Sequence, residues 1–175
     1  TGRIYKIEIA TGNFELLTYS GLGGSPQDIY YDSEYDRLVA VNFGGTNSYI
    51  NAVNLENGET TLLLNPDFGN FDGVSMDPYG NIYVASYDTG GIVYRIDDSF
   101  AYEPVPVSSG HNGPAGIDFN AYDNILAIPN FYSNSVSFVA VEFPLVADFT
   151  ASQTTGNTPL EVHFNDSTIG TPLVW

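Results

Sequence analysis

Acidic and amide side chains recur beside the predicted turns of this sequence, and their oxygen atoms could bind a cation or a polar ligand. Such residues stand before or after strand-like segments in three successive stretches. They are Gln27, Asp28, Asn42, Asp67, Asp72, Asp88, Asn112, Asn130 and Asn134, with Tyr87, Ala115 and Tyr132 at neighbouring or matching positions. Carboxylate and amide oxygens are the ligands that Ca²⁺ prefers. Asp and Asn are also frequent turn formers, because their side chains bond to nearby backbone, so the pattern leaves both interpretations open.

One histidine, His111, is a candidate for acid–base chemistry. His111 lies in the turn-rich segment 108–113, SSGHNG, where an imidazole could exchange a proton near neutral pH. An exposed loop histidine without a catalytic role fits the same segment. The other histidine, His163, stands in a strand-like run and is predicted to be structural. No Gly-x-Ser-x-Gly motif occurs, so the sequence does not support a serine hydrolase of that type.

Short strands in a repeated unit would position these residues. The unit is clearest at 71–97, FDGVSMDPYGNIYVASYDTGGIVYRID, which contains three β-branched or aromatic runs. A turn at 77–81 separates the first two runs, because its proline presets one turn position and its glycine permits a positive φ. A second break at 88–91 precedes the third run. The unit therefore predicts strand, turn, strand, loop and strand.

The same unit occurs before and after residues 71–97 at a nearly constant spacing. Ile29, Val74 and Ile117 align in the first strands and are 45 and 43 residues apart. The third strands align at Ile4, Ile50, Val93 and Val136, with steps of 46, 43 and 43 residues. Repeats of this length built from four short strands are typical of β-propeller blades, whereas helical repeats need long amphipathic helices.

The repeats predict an all-β fold with a partial β-propeller of about three and a half four-stranded blades. Complete blades are expected over residues 25–65 and 71–108. Residues 1–20 are expected to supply the outer two strands of a blade, and residues 114–142 the first three strands of another. Because the sequence begins with Thr1 in the middle of a repeat, we expect it to be part of a longer protein.

The polar candidates of successive blades should meet on one face of the propeller. In a four-stranded blade, the loop before the inner strand and the loop after the second strand lie at the same end. The predicted ligand-binding face comprises Gln27, Asp28, Asn42, Asp72, Asp88, His111, Asn112 and Asn130. An oxygen-rich ring at the channel mouth could hold calcium, another divalent cation or a polar ligand. Tyrosines should pack between blades, and those on loops could stack on sugars.

The excess of acidic over basic residues limits the kinds of molecule that this protein can bind. The 175 residues include 21 acids against four lysines and arginines, for a formal net charge of −17. Nucleic acid binding needs a basic surface, so no nucleic acid partner is expected, and an anionic membrane surface is disfavoured. The excess of acids serves solubility or cation binding. Cysteine is absent, which excludes disulfides and thiolate metal sites, and no apolar run is long enough for membrane insertion.

Beyond residue 142 the repeat pattern stops, and residues 144–175 resemble the beginning of a PKD domain, an immunoglobulin-like β-sandwich. The resemblance rests on the segments 147–151 (ADFTA), Gly156, 159–160 (PL), 162–168 (VHFNDST) and Trp175. Val162 and Phe164 alternate with polar neighbours, as a half-buried sandwich strand requires. The expected domains are a propeller over 1–143 and a truncated PKD-like domain over 144–175. The resemblance implies a secreted or cell-surface protein of bacterial type.

The repeats over residues 2–142 resemble NHL-type propellers and, more loosely, the SMP-30/gluconolactonase-like family. Lactonases of that family hold a metal at the channel end through Glu, Asn and Asp from different blades, and the Asp belongs to a Pro-Asp-Gly motif. The segment 71–73, Phe-Asp-Gly, is similar to that motif with the proline replaced, so the resemblance implies Asp72 as a metal ligand. Gln27 stands where the Asn is expected and Ala115 at the matching position of the next blade, which departs from the family pattern.

Three functions remain open at this stage. The first is a non-catalytic binding or adhesion module whose acidic face engages calcium, a glycan or a protein partner. The second is a metal-dependent lactonase-like hydrolase centred on Asp72. The third is a structural spacer or assembly surface.

Overall fold

The chain is all-β and divides into two compact units, residues Thr1–Ala140 and Val141–Trp175. The computed structural model describes residues 2–44, 48–88, 90–143 and 148–167. Over these ranges the one helical element is a 3₁₀ turn at Phe131–Ser133. No helix in the described ranges has the length and apolar character needed to cross a membrane.

The described part of the first unit contains four antiparallel sheets, each made of strands that are consecutive in the chain. The first two sheets are β1 (Ile4–Ile7) with β2 (Phe14–Thr18), and β3 (Ser25–Asp32) with β4 (Arg37–Phe43), β5 (Ile50–Asn54) and β6 (Thr60–Leu64). The third is β7 (Phe71–Met76) with β8 (Ile82–Ser86), β9 (Ile92–Ile96) and β10 (Val105–Ser108). The fourth is β11 (Asp118–Asn120) with β12 (Ile125–Asn130) and β13 (Ser135–Ala140).

These sheets confirm the predicted partial propeller. Two complete four-stranded blades stand between a two-stranded and a three-stranded sheet, as the repeat spacing predicted. The strand β10 is the outermost of its blade, which agrees with Pro106 within it and Pro104 just before it, since proline has no N–H to donate to a ladder. The sequence predicts this outer strand at about 102–107, whereas the observed strand starts at Val105.

Apolar side chains from adjacent blades form the core. Between the two complete blades, the fully buried Val39, Val41 and Ile50 pack with Phe71 and Val84. A smaller apolar cluster between the first two sheets consists of Ile4, Leu22, Ala40 and Val53. Each blade thus buries one sheet face against its neighbour, and the inner strand β7 contacts β3 on one side and β11 on the other. This stacking fixes the loops at the strand ends.

The second unit is described by itself. Its strands β14 (Phe149–Ala151) and β15 (Phe164–Asp166) form an antiparallel pair. The rings of Phe149 and Phe164 meet edge to face with centroids 5.4 Å apart. His163 was predicted within the strand, but it precedes β15 and is exposed, with Nε2 3.4 Å from Glu161 Oε1. The predicted segments at 144–147 and 168–175, including Trp175, lie outside the described residues.

Candidate ligand-binding face

Loops from three blades meet at one end of the first unit, and we call this end the loop face. It is formed by the adjoining parts of the inner strands, including Asp28 and Asp72, and by the segments before the inner strands and after the second strands: 20–24, 43–44, 48–49, 65–70, 87–88, 90–91, 109–117 and 131–134. Hydrogen bonds join the segments. The amide of Asn70 donates to Ser48 Oγ at 2.6 Å, and the amide of Phe131 donates to the carbonyl of Gly113 at 2.9 Å. The loop face is therefore a connected surface.

A β-bulge recurs near the loop-face end of both complete blades' inner strands. In β3 the pairing with β4 skips Gln27, and in β7 the pairing with β8 skips Asp72. The next repeat places Ala115 after a bridge between Pro114 and Asn130. A bulge leaves one residue out of the ladder and re-aims its side chain, so Gln27 and Asp72 occupy equivalent, locally distorted positions. The sequence alignment had already matched these two residues, but it contained no sign of the bulge.

Asp28 and Asp72 bring two carboxylates close together. Asp28 is held by backbone amides: Oδ1 accepts from Ile29 at 2.9 Å and Oδ2 accepts from Val74 at 3.0 Å. Asp72 is half-buried, and no hydrogen bond to its carboxylate is found within the described ranges. Burial, and secondly the charge of Asp28, raise the pKa of Asp72 above its usual value, because both disfavour the ionised form.

Aromatic side chains form a row across the loop face beside these carboxylates. Phe43 is the last residue of β4, Tyr87 follows β8, and Phe131 and Tyr132 follow β12. Phe43 and Tyr87 meet edge to face at 5.8 Å between centroids, and Tyr87 and Tyr132 lie 5.6 Å apart. Phe131 and Tyr132 are in turn 5.2 Å apart. We call these four residues the aromatic row, which crosses three successive blades.

Tyr132 is also the main influence on the pKa of Tyr87. Hydrogen bonding to Tyr132, followed by burial and the charges of Tyr132 and Asp72, raises this pKa to about 12. Tyr87 therefore stays neutral at physiological pH and lies in the field of Asp72. Gly113 makes the approach of the two rings possible: it has a φ of 69°, and a Cβ there would lie 2.8 Å from the Tyr132 ring.

Four of the predicted face residues are engaged in holding the loops. Asn42 is fully buried, and its Nδ2 donates to the carbonyls of Leu22 and Tyr49. Asn130 accepts from the amide of Asn112 at 3.2 Å, and Asn112 Nδ2 donates to Ser133 Oγ at 2.8 Å. Asp88 is exposed and accepts from Asn70 Nδ2 and from the amide of Gly69. Of the two interpretations of these Asp and Asn residues, the contacts agree with the structural one, in which their side chains hold the loops.

His111 lies on the loop face in a pair with a serine. Its Nε2 is 2.7 Å from Ser108 Oγ, and its amide donates to the carbonyl of Gly91 at 3.1 Å. Within the described part of the chain, no hydrogen bond or ion pair joins His111 to Asp72 or to another carboxylate. The structure thus places the two candidate catalytic residues on one face without direct contact between them.

The donor set for a metal is small. Among residues 2–44, 48–88, 90–143 and 148–167, no group of three or more His, Asp or Glu side chains is placed to hold a metal ion. Asp28 and Asp72 are two carboxylates, and the bulge positions equivalent to Asp72 carry Gln27 and Ala115. Ca²⁺ usually takes six to eight oxygen ligands. This donor set does not fit the three-blade metal site that the lactonase resemblance implies.

The sequence analysis missed Phe43 and Phe131 as face residues. A signal for them existed, because Phe43, Tyr87 and Phe131 follow one another at steps of 44 residues and stand at or directly after the end of the second strand of each repeat. Their mutual contacts, however, depend on how adjacent blades pack.

The chain matches no protein-family model and no curated protein. Its fold is similar to solved β-propeller structures. A chain of a nidogen/laminin complex has a TM-score of 0.58 and 13% identity, over 79% of this chain and 56% of that one. Virginiamycin B lyase from Staphylococcus aureus has a TM-score of 0.55 and 14% identity, over 82% and 50%.

TolB from Acinetobacter baumannii is similar as well, with a TM-score of 0.54 and 14% identity, over 87% of this chain and 43% of that one. The chain thus spans about half the length of these neighbours. Identities this low relate the folds alone.

Proposed function

We propose that this chain is part of a secreted or cell-surface protein of bacterial type and that its propeller is a non-catalytic module that binds a glycan. The observation that supports this function is the aromatic row, Phe43, Tyr87, Phe131 and Tyr132, beside the carboxylate of Asp72. An NHL-like propeller followed by a PKD-like domain remains our interpretation of the two units.

An aromatic row suits a sugar because ring faces stack on the apolar faces of pyranoses while hydroxyl groups bond at the rim. Tyr132 is 62% exposed and Phe131 is 66% exposed, so both rings offer surface to a ligand. Tyr87, whose ring lies 5.6 Å from that of Tyr132, supplies a neutral hydroxyl in the field of Asp72. The face is also preformed, since backbone hydrogen bonds fix its loops, and a preformed site loses little entropy on binding.

A glycan ligand can be tested on one aromatic residue with a matched control. We expect the protein to bind at least one of three β-1,4-linked hexasaccharides, of glucose, N-acetylglucosamine and glucosamine, in isothermal titration calorimetry. Tyr132→Ala should weaken binding roughly tenfold, because a stacked ring contributes about 1 kcal/mol or more.

Tyr122→Ala is the control, since Tyr122 is 91% exposed in the turn between β11 and β12, at the opposite end of the blade. It should leave affinity unchanged. Absence of binding to all three sugars, or equal losses in the two variants, would contradict the proposed glycan site.

The alternative to a glycan, for a non-catalytic binding module, is a protein partner. One structural neighbour was solved as a nidogen/laminin complex, which shows a protein partner in that case. A spacer or assembly role needs no ligand on the loop face, and it would leave the aromatic row without a use.

The lactonase alternative is supported by the bulge that sets Asp72 apart at the loop-face end of β7. Together with Asp28 it is also the basis for the predicted calcium or other divalent cation. Calorimetric titration with calcium chloride tests both ideas. Saturable heat that disappears in Asp72→Ala would support a metal at Asp72, and no heat, or heat unchanged in the variant, would remove that support.

A further inference from the structure

The loop face carries negative charge that the described part of the chain does not neutralise. Asp28 and Asp72 lie close enough for the charge of Asp28 to raise the pKa of Asp72. The ion pairs among the described residues of the first unit are Lys6–Glu15 and Arg37–Asp32, and neither includes Asp28 or Asp72. The whole sequence has only four lysines and arginines. A positively charged ligand group would relieve this repulsion.

The two carboxylates differ in what they can offer to a ligand. Asp28 already accepts the amides of Ile29 and Val74, so it contributes a fixed charge. Asp72 stands out of the β7–β8 ladder at the bulge, and its oxygens accept no hydrogen bond within the described ranges. Asp72 is therefore the carboxylate that can bond directly to a cationic group, while Asp28 strengthens the local potential.

The neighbouring rings favour an organic cation over a metal ion. Two carboxylates are few ligands for a hard divalent cation, and no larger group of His, Asp or Glu is placed for one in the described ranges. A protonated amine, in contrast, is stabilised by one carboxylate together with aromatic ring faces through cation–π attraction. Tyr87 lies in the field of Asp72 and touches Tyr132, so rings and charge stand side by side.

We infer that the loop face selects glycans that carry free, protonated amino groups, with an ammonium at Asp72 and the sugar rings on Tyr132 and Phe131. This inference rests on the glycan-binding function proposed above. The formal net charge of −17 adds a long-range attraction for such a polycation. Because that attraction acts over the entire surface, the test must separate it from recognition at Asp72.

Three hexasaccharides with the same β-1,4 backbone isolate the amino group. At mildly acidic pH, the glucosamine hexamer should bind roughly tenfold more tightly than the glucose hexamer or the N-acetylglucosamine hexamer, from one ion pair with Asp72 plus cation–π contact with Tyr87. Asp72→Asn should remove this preference. Tyr132→Ala should weaken all three ligands by similar factors and preserve the preference.

Asp123→Asn is the matched charge control, because it removes one acid from the exposed turn between β11 and β12 at the opposite end. It should keep the preference. Equal losses in Asp123→Asn and Asp72→Asn would identify non-specific attraction and overturn the inference.

The outcomes also separate this inference from the function on which it rests. Equal affinity for the three hexamers would overturn amine selection and leave glycan binding standing, whereas no binding of any hexamer would overturn both. Misfolding of Asp72→Asn is checked by its melting temperature. Ionised Asp72 is disfavoured in the folded state, so removing its charge should keep or raise the melting temperature at neutral pH. A folded variant that retains the preference overturns the inference.

Discussion

Gly73→Ala should destabilise the propeller by about 3 kcal/mol, the upper part of the range for overpacking. Gly73 lies on β7 where the inner strand of one blade approaches the next blade. A Cβ at this position would lie 2.5 Å from the amide nitrogen of Ile117 and 2.8 Å from Cα of Gly116, and it would also collide with the carbonyl of Ala115. These atoms are backbone, so they cannot move aside as the end of a side chain would.

The repeat supplies a matched control for this substitution. Gly116 occupies the same place in the next repeat, 43 residues later, and no described atom lies within 4 Å of where its Cβ would stand. Gly116→Ala should therefore change the free energy of unfolding by less than about 0.5 kcal/mol. Urea unfolding of both variants, followed by circular dichroism, measures the difference. Similar midpoints for the two alanines would show that the blades do not approach at Gly73.

Asp77→Ala should cost about 3 kcal/mol of stability, because Asp77 is a buried acceptor of four hydrogen bonds. Its Oδ1 accepts the amides of Tyr79 and Asn81 at 2.8 and 3.0 Å. Its Oδ2 accepts Asn81 Nδ2 at 2.8 Å and the Tyr83 hydroxyl at 2.9 Å. Tyr83 is fully buried, so alanine at position 77 leaves a buried hydroxyl donor unsatisfied and removes bonds to a charged group.

Position 120 is the control for Asp77. Asn120 precedes the equivalent turn of the next repeat, accepts the amide of Tyr122 at 2.9 Å and is exposed. Asn120→Ala should lower stability by about 1 kcal/mol or less, since water can replace its bonds. Thermal unfolding of the two variants gives the comparison. If Asp77→Ala lowers stability no more than Asn120→Ala does, Asp77 does not act as a buried acceptor that stabilises the blade.

The order and bounds of the propeller strands could be predicted well because local chemistry determines them. The runs at 60–64 and 92–96 predict strands, and the structure has strands with the same bounds, Thr60–Leu64 and Ile92–Ile96. Turn residues lie at both ends of each run, so the local sequence is enough to locate these strands. The start of β10 was harder to predict, because Pro104 and Pro106 have no N–H to donate and tertiary packing decides where pairing begins.

The site was predicted less completely, because its properties arise between blades. The sequence placed Asp72 and Tyr132 on a common face, yet the pairing of Asp28 with Asp72 and of Tyr87 with Tyr132 depends on contacts between residues more than 40 positions apart. Asn42 shows the opposite error, in which the sequence suggested a ligand-binding residue that is buried in the structure. Its amide was a candidate ligand group, whereas Asn42 is fully buried and its Nδ2 donates to the carbonyls of Leu22 and Tyr49.

Hydrogen–deuterium exchange of the protein with and without the glucosamine hexamer tests most directly whether the loop face is the binding surface. We predict slower exchange in the ligand complex for the amides of 87–88, 109–113 and 131–134, and unchanged exchange in the turns at 77–81 and 121–124 of the opposite end. Protection confined to those opposite turns, or binding that leaves exchange on the loop face unchanged, would contradict the account.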